Sequence, residues 1–95
     1  MTLTISSNNV TIVGNIKSIS DYQLIKSELD AITSTHKNIV LNIKDSLSIT
    51  SSIIGYFNKL VLKDKVTIYM NVGNIQLMEL LDDLNLTGLF NVKKV

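Results

Sequence analysis

Hydroxyl side chains form the densest group of chemically capable residues in this sequence. Ser46, Ser48, Thr50, Ser51 and Ser52 all lie between positions 46 and 52. A hydroxyl oxygen before a helix accepts a hydrogen bond from a free backbone N–H, so such residues commonly begin helices. One hydroxyl is sufficient for that task, and the last three residues of the cluster supply three. A phosphate here would meet free N–H groups and the positive end of a helix dipole, so Ser52, Ser51 and Thr50 are the candidate phosphorylation sites.

The remaining residues do not favour catalysis. A serine nucleophile needs a histidine held beside an acid, but His36 lies in a polar stretch between Thr35 and Lys37. Cysteine is absent, and Asp82 and Asp83 are adjacent rather than spaced as metal ligands. No glycine-rich phosphate-binding motif is present. We therefore expect a protein that is not an enzyme and that carries no metal and no cofactor.

The composition indicates one globular domain over residues 1–95, with 45% hydrophobic residues. All nine basic residues are lysines, and they nearly balance eight acids. Because arginine dominates the reading of phosphates and base edges, its absence argues against nucleic-acid binding. No apolar run approaches a membrane span of about 20 residues, so we expect no direct membrane insertion. The first residues lack the pattern of a signal peptide, and the expected location is cytoplasmic.

The hydrophobic period changes along the chain and predicts alternating elements. Residues 3–5 and 10–13 read as two short strands with residues 6–9 as their turn. A helix follows, in which Ser18 or Ser20 is the expected N-cap. Its apolar stripe consists of Tyr22, Ile25, Leu29 and Ile32.

A nearly unbroken apolar strand over residues 38–43 predicts burial on both faces, with helices on each side of the sheet. A second helix, a strand at 66–72, a third helix and a short strand at 89–92 complete the order. A hairpin followed by βα units predicts an α/β fold with a mixed sheet of about five strands flanked by helices. The apolar faces of the last two helices are expected to hold Ile54, Phe57, Leu60 and Val61, and then Ile75, Met78 and Leu81.

The strand and the hydroxyl cluster together resemble the core of the STAS domain family, of the anti-sigma factor antagonist type. The resemblance is carried by residues 39–45 and 49–55, whose spacing matches the family segment without a gap. Three further segments resemble other strands and the ending of that family, so the likeness covers nearly the whole chain. These segments are 13–16, 66–72 and 84–90.

The resemblance implies a protein-binding switch in transcription regulation. In such proteins a serine kinase, which is also the anti-sigma factor, phosphorylates a serine at the start of the second helix. The unphosphorylated form binds that kinase and frees the sigma factor. The second serine of the family motif falls on Ser52, with Ser51 beside it. Thr50 stands where the family has aspartate, and Ile53 where it has glycine.

The expected partner-binding surface is the loop that holds Ser48 together with an exposed face of the second helix. Its predicted members on that helix are Ile53, Tyr56 and Lys59, with Lys63 further along. The expected partner is a serine kinase that acts as an anti-sigma factor. The alternative is a STAS accessory subunit of a lipid-transport ABC ATPase, which keeps a hydroxyl here without an active switch. The residues at positions 50 and 53 fit that alternative.

Overall fold

The computed structural model describes residues 1–47 and 49–95, and within them the chain forms an α/β fold. The predicted order of strands and helices is confirmed. The elements are β1 (Thr2–Ser6), β2 (Asn9–Val13), α1 (Ile19–Thr33), β3 (Asn38–Lys44), α2 (Ser51–Leu62), β4 (Thr67–Val72), α3 (Ile75–Asp83) and β5 (Val92–Lys94).

The described strands form one mixed sheet in the order β1-β2-β3-β4-β5. The first two strands pair antiparallel as a hairpin, and every later neighbour pairs parallel. Each parallel strand is reached through a helix, because parallel neighbours need a crossover connection. The mixed five-stranded sheet and its helices agree with the α/β fold predicted from the sequence.

The three helices of the described residues pack against the same face of this sheet. Parallel strands are joined by right-handed crossovers almost without exception. The strands here advance in one direction across the sheet, so successive right-handed crossovers place their helices on one side. Burial agrees with this arrangement, because Val10, Leu41 and Met70 align across β2, β3 and β4 and are each 0% exposed. The prediction that helices cover both faces of β3 is wrong, since Val40 on the second face is only half-buried.

The core lies between the three helices and the covered face of the sheet. Phe57 of α2 and Phe90 meet edge to face inside it, with ring centroids 5.9 Å apart. This geometry is the favoured one for aromatic pairs. The helices contribute Ile25, Leu29, Ile53, Tyr56, Phe57, Leu60, Leu77 and Leu81 to this core.

A row of asparagines crosses the uncovered face of the sheet. Asn42 of β3 donates from Nδ2 to Oδ1 of Asn9 on β2 at 2.6 Å. Asn71 of β4 donates in the same way to Oδ1 of Asn42 at 2.9 Å. These amides satisfy one another on a face that no helix covers, which explains why polar residues occur in otherwise apolar strands.

The last strand lies further along the chain than the sequence predicted. Residues 89–91 of the expected strand at 89–92 form turns instead, and β5 begins at Val92. Phe90 turns into the core, and Asn91 adopts a left-handed backbone with φ 48° while its Nδ2 donates to the Ile68 carbonyl at 2.9 Å. The apolar residues before Val92 are therefore used to close the core rather than to extend the sheet.

Candidate functional site

The hydroxyl cluster lies at the carboxyl end of β3, where the chain enters α2. Thr50 has an extended backbone, and its Oγ1 accepts a hydrogen bond from the N–H of Ile53 at 3.3 Å. Thr50 is therefore the N-cap of α2, the position that Ser, Thr, Asp and Asn prefer. Its hydroxyl is engaged in holding the start of the helix.

Ser51 and Ser52 occupy the first turn of α2, and both are exposed. Backbone N–H groups at these positions have no acceptor within the helix. The first turn contains no acidic residue. A negative group on either hydroxyl would therefore lie at the positive end of α2 without facing a carboxylate from its own turn.

A pocket of about 140 Å³ lies between the first turns of α1 and α2. Ser52 forms part of its wall, and Lys17 lines it from the segment before α1. The two helices follow neighbouring parallel strands, so their N-termini meet at the carboxyl end of the sheet. The pocket is lined by Lys17, Ser18, Ile19, Tyr22, Thr50 and Ser52.

The α1 side of the pocket is held by reciprocal capping. Ser18 accepts from the backbone N–H of Asp21 at 3.0 Å, which confirms Ser18 as the cap of α1. Asp21 in turn accepts from the backbone N–H of Lys17 at 3.2 Å. That bond lowers the pKa of Asp21 below its usual range, because it favours the charged carboxylate. The position of Lys17 at the pocket is thus fixed through its backbone.

Three large apolar side chains are exposed at this end of the sheet. Ile19 is 77% exposed, Leu47 50% and Ile75 53%, and they follow β2, β3 and β4 respectively. The backbone N–H of Leu47 donates to Oδ1 of Asn15 at 2.9 Å, which ties its loop to the segment before α1. A single exposed apolar residue is ordinary, but several at one end of a molecule mark an interaction surface. We call the set Ile19, Leu47, Ser51, Ser52 and Ile75 the carboxyl-end surface.

The apolar part of this surface was not predicted from the sequence. Ile75 keeps step with the apolar stripe of α3 and was expected on its buried face, whereas Ile19 and Leu47 were not singled out. The signal that could have found Ile19 and Ile75 is their position, because each directly follows an N-cap, Ser18 or Asn74. A first helical residue after a parallel strand lies beyond the end of the sheet and has little to pack against.

Two residues predicted for the partner-binding surface are buried instead. Ile53 is 0% exposed and Tyr56 is 4% exposed, so neither is available to a partner docked on the outside of α2. The error is one of helical phase, since α2 turns Ile53, Tyr56, Phe57 and Leu60 toward the sheet. Ile53 therefore leaves the approach to Ser52 open.

The two lysines predicted as contact residues are exposed but lie away from Ser52. Lys59 is exposed and pairs with Asp64, with Nζ and Oδ2 3.1 Å apart, and Lys63 is exposed at the end of α2. Both lie toward the end of α2 opposite Ser52. Ser48 lies outside the described residues. Within the same loop, Ser46 is fully buried.

Within residues 1–47 and 49–95, no group of three or more His, Cys, Asp or Glu side chains could hold a metal ion. No helix in this part of the chain has the length and apolar character needed to cross a bilayer. Comparison of the chain with protein-family models, with curated proteins and with solved structures found no match.

Proposed function

We propose that this chain is a cytoplasmic protein-binding module of the partner-switching type, whose docking site is the carboxyl-end surface. The observation that carries the proposal is the exposure of two serines beyond the helix cap, beside three exposed apolar side chains. Apolar side chains supply binding energy when a partner covers them, and the serines supply a place for control. The proposed partner is a serine kinase that also acts as an anti-sigma factor, as the resemblance to STAS domains implies.

Phosphorylation of Ser52 would control this docking. A phosphate there would be stabilised by the N-terminus of α2 and by Lys17 across the pocket. It would add about −1.5 to −2 charges to a surface otherwise used for apolar contact. The fold of the chain would tolerate that charge, whereas a docked partner would have to desolvate it.

Two departures from the family motif are compatible with this switch. Thr50 replaces the aspartate and caps α2 in its place. Ile53 replaces the glycine, but its side chain points into the core rather than toward the kinase. Both positions therefore leave Ser51 and Ser52 accessible.

The phosphorylation is tested by incubating the chain with ATP, Mg²⁺ and the serine kinase that binds it. We expect one phosphate, located by mass spectrometry at Ser52 and lost in Ser52→Ala. Ser27→Ala, which removes an exposed serine on the outside of α1, should retain it. Absence of phosphate from positions 50–52 would exclude the switch and leave the docking proposal to be tested separately.

Docking is tested with a matched pair of leucine substitutions. Leu47→Ser removes an exposed apolar side chain from the carboxyl-end surface, and Leu62→Ser removes one that is 61% exposed at the other end of α2. We expect Leu47→Ser to weaken binding of the purified kinase at least tenfold and Leu62→Ser to leave it unchanged, measured by calorimetry. Co-purification of an ABC ATPase subunit instead of a kinase would favour the accessory-subunit alternative.

A further inference from the structure

Strand β1 forms one edge of the sheet and lacks the features that usually protect such an edge. Its residues Thr2–Ser6 pair one-to-one with β2, without a bulge. They include no charge and no proline. Unpaired N–H and C=O groups on an uncharged edge are a template for another strand, and proteins commonly block them with lysine, proline, bulges or short length.

The opposite edge of the sheet is protected in the usual way. Strand β5 has three residues, and two of them, Lys93 and Lys94, are exposed lysines. Short length and positive charge both oppose the addition of a further strand. The contrast between the two edges indicates that only β1, among the described strands, is suited to pairing outside the chain.

The hairpin fixes which groups of β1 are free to pair. A two-residue loop joins Ser6 to Asn9, and the closing pair of such a hairpin exchanges backbone hydrogen bonds. The hydrogen-bonded pairs then alternate along the strand. Leu3 and Ile5 therefore direct their N–H and C=O groups away from β2.

We propose that two copies of this chain pair antiparallel through β1, with the two-fold axis at Thr4. In this register Leu3 of one copy lies opposite Ile5 of the other, and they exchange backbone hydrogen bonds. Thr4 lies opposite its own equivalent, and Thr2 lies opposite Ser6. Apolar side chains thus meet on the covered face and hydroxyls meet on the uncovered face, with no charge opposed to a like charge. The strand is self-complementary, as an isologous interface requires.

The pairing would join two five-stranded sheets into one continuous sheet with all helices on the same side. Because the two copies run in opposite directions, their carboxyl-end surfaces point away from each other. The dimer therefore leaves both copies of Ser52 accessible, and it does not depend on the proposed switch.

The experiment measures the mass of the full chain by sedimentation equilibrium over a range of concentrations. We expect a monomer–dimer equilibrium for the wild-type chain. Thr4→Lys places two ammonium groups across the two-fold axis and should weaken dimerisation at least tenfold. Thr67→Lys is the matched control, because Thr67 is an exposed threonine on β4, away from the β1 edge, and it should dimerise like the wild type.

A charge-exchange pair gives the second readout. Thr4→Glu should also be monomeric, while an equimolar mixture of Thr4→Lys and Thr4→Glu should dimerise, since opposite charges then meet at the axis. Hydrogen exchange should show the amides of Leu3 and Ile5 protected in the wild-type dimer and unprotected in Thr4→Lys. A wild-type chain that stays monomeric at millimolar concentration, or a Thr4→Lys variant that dimerises as well as the wild type, would overturn the proposal.

Discussion

Tyr56 shows how a residue that looks like a contact residue can be a structural one. Its hydroxyl donates to Oδ1 of Asp30 at 2.6 Å, and Lys26 donates to the other carboxylate oxygen at 2.9 Å. The Lys26 ammonium also lies 5.8 Å from the centre of the Tyr56 ring. Burial, followed by the hydrogen bond to Asp30, raises the pKa of Tyr56 well above its usual range. The phenol is thus a neutral donor that joins α2 to α1.

Substitution of Tyr56 by phenylalanine is expected to destabilise the fold by about 1 kcal/mol. The change removes the donor to Asp30 and keeps the ring in the core. The expected cost is below the usual range for a charged acceptor, because the Asp30 side chain is 42% exposed and water can replace the phenol. Urea unfolding measures it. Tyr69→Phe, at a half-exposed tyrosine on the uncovered face, is the control and should change the free energy of unfolding by less than about 0.5 kcal/mol.

The difference in stability between the wild-type chain and Tyr56→Phe should shrink in acid. The Tyr56 hydrogen bond is the largest cause of the lowered pKa of Asp30, and Lys26 adds to it. A carboxylate with a lowered pKa in the folded state stabilises the fold above its unfolded pKa of about 3.9 and loses that contribution as pH falls through the folded pKa. Urea midpoints taken from pH 7 downward should therefore converge for Tyr56→Phe and the wild type. Parallel curves below pH 4 would contradict this role of Asp30.

At the scale of elements, the sequence predicted which segments form strands and helices but not which way every helix faces. The order and approximate bounds follow from changes in hydrophobic period, and the Ser18 cap follows from residue type. In α2 the apolar residues form one broad stripe, so the sequence does not define which part of it faces the sheet. Ile53 and Tyr56 lie in the part that does, and Ile54 and Val61 lie at its other border. Packing of α2 against β4 and α1 decides the phase, and these contacts are between residues distant in sequence.

The candidate site was predictable only in part, because some of its features are local and others depend on the assembled fold. A cap with surplus serines is a local pattern, so residues 50–52 could be found from the sequence. The meeting of Lys17 with Ser52 depends on β2 and β3 being parallel neighbours. The exposure of Ile75 depends on where α3 begins relative to the end of the sheet. These are properties of the assembled fold, and hydrophobic period does not encode them.

The turn between β1 and β2 provides a prediction at the element scale. Ser7 has φ 57°, a backbone region that costs an L-residue about 1 kcal/mol or more, whereas glycine adopts it freely. Ser7→Gly should therefore stabilise the chain by about 0.5 kcal/mol after the greater freedom of glycine in the unfolded state is counted. The measurement is the free energy of unfolding in urea.

The neighbouring residue is the control for that prediction. Asn8 does not have a positive φ, and its Nδ2 donates to Oδ1 of Asn38 at 2.8 Å and to its carbonyl at 3.1 Å. Asn8→Gly should destabilise the chain by about 1 kcal/mol, because it removes these bonds and adds backbone freedom. Equal effects of glycine at the two positions would show that backbone conformation does not decide the outcome.

At the scale of the whole molecule, the monotonic strand order determines the architecture. A strand order that reverses would place helices on both faces of the sheet, as in doubly wound folds. Here the order advances from β2 to β5, so one face carries all three helices and the other carries the asparagine row. Its surfaces include the carboxyl-end surface, the β1 edge and the uncovered sheet face. The proposed docking at the first and the proposed pairing at the second are compatible, because they involve different edges of the sheet.

The one-sided architecture is tested by comparing neighbouring residues of the central strand. Leu41 of β3 faces the helices and is 0% exposed, whereas Val40 faces the uncovered side and is half-buried. Leu41→Ala should cost about 2–5 kcal/mol, a large part of the stability of a small domain, because it leaves a cavity in the core. Val40→Ala should cost about 1 kcal/mol or less, since it creates no enclosed cavity and removes mainly strand preference. Guanidinium unfolding measures both. A strand covered by helices on both faces would instead give two comparable losses, so similar values for Leu41→Ala and Val40→Ala would contradict the arrangement that leaves one face of the sheet open.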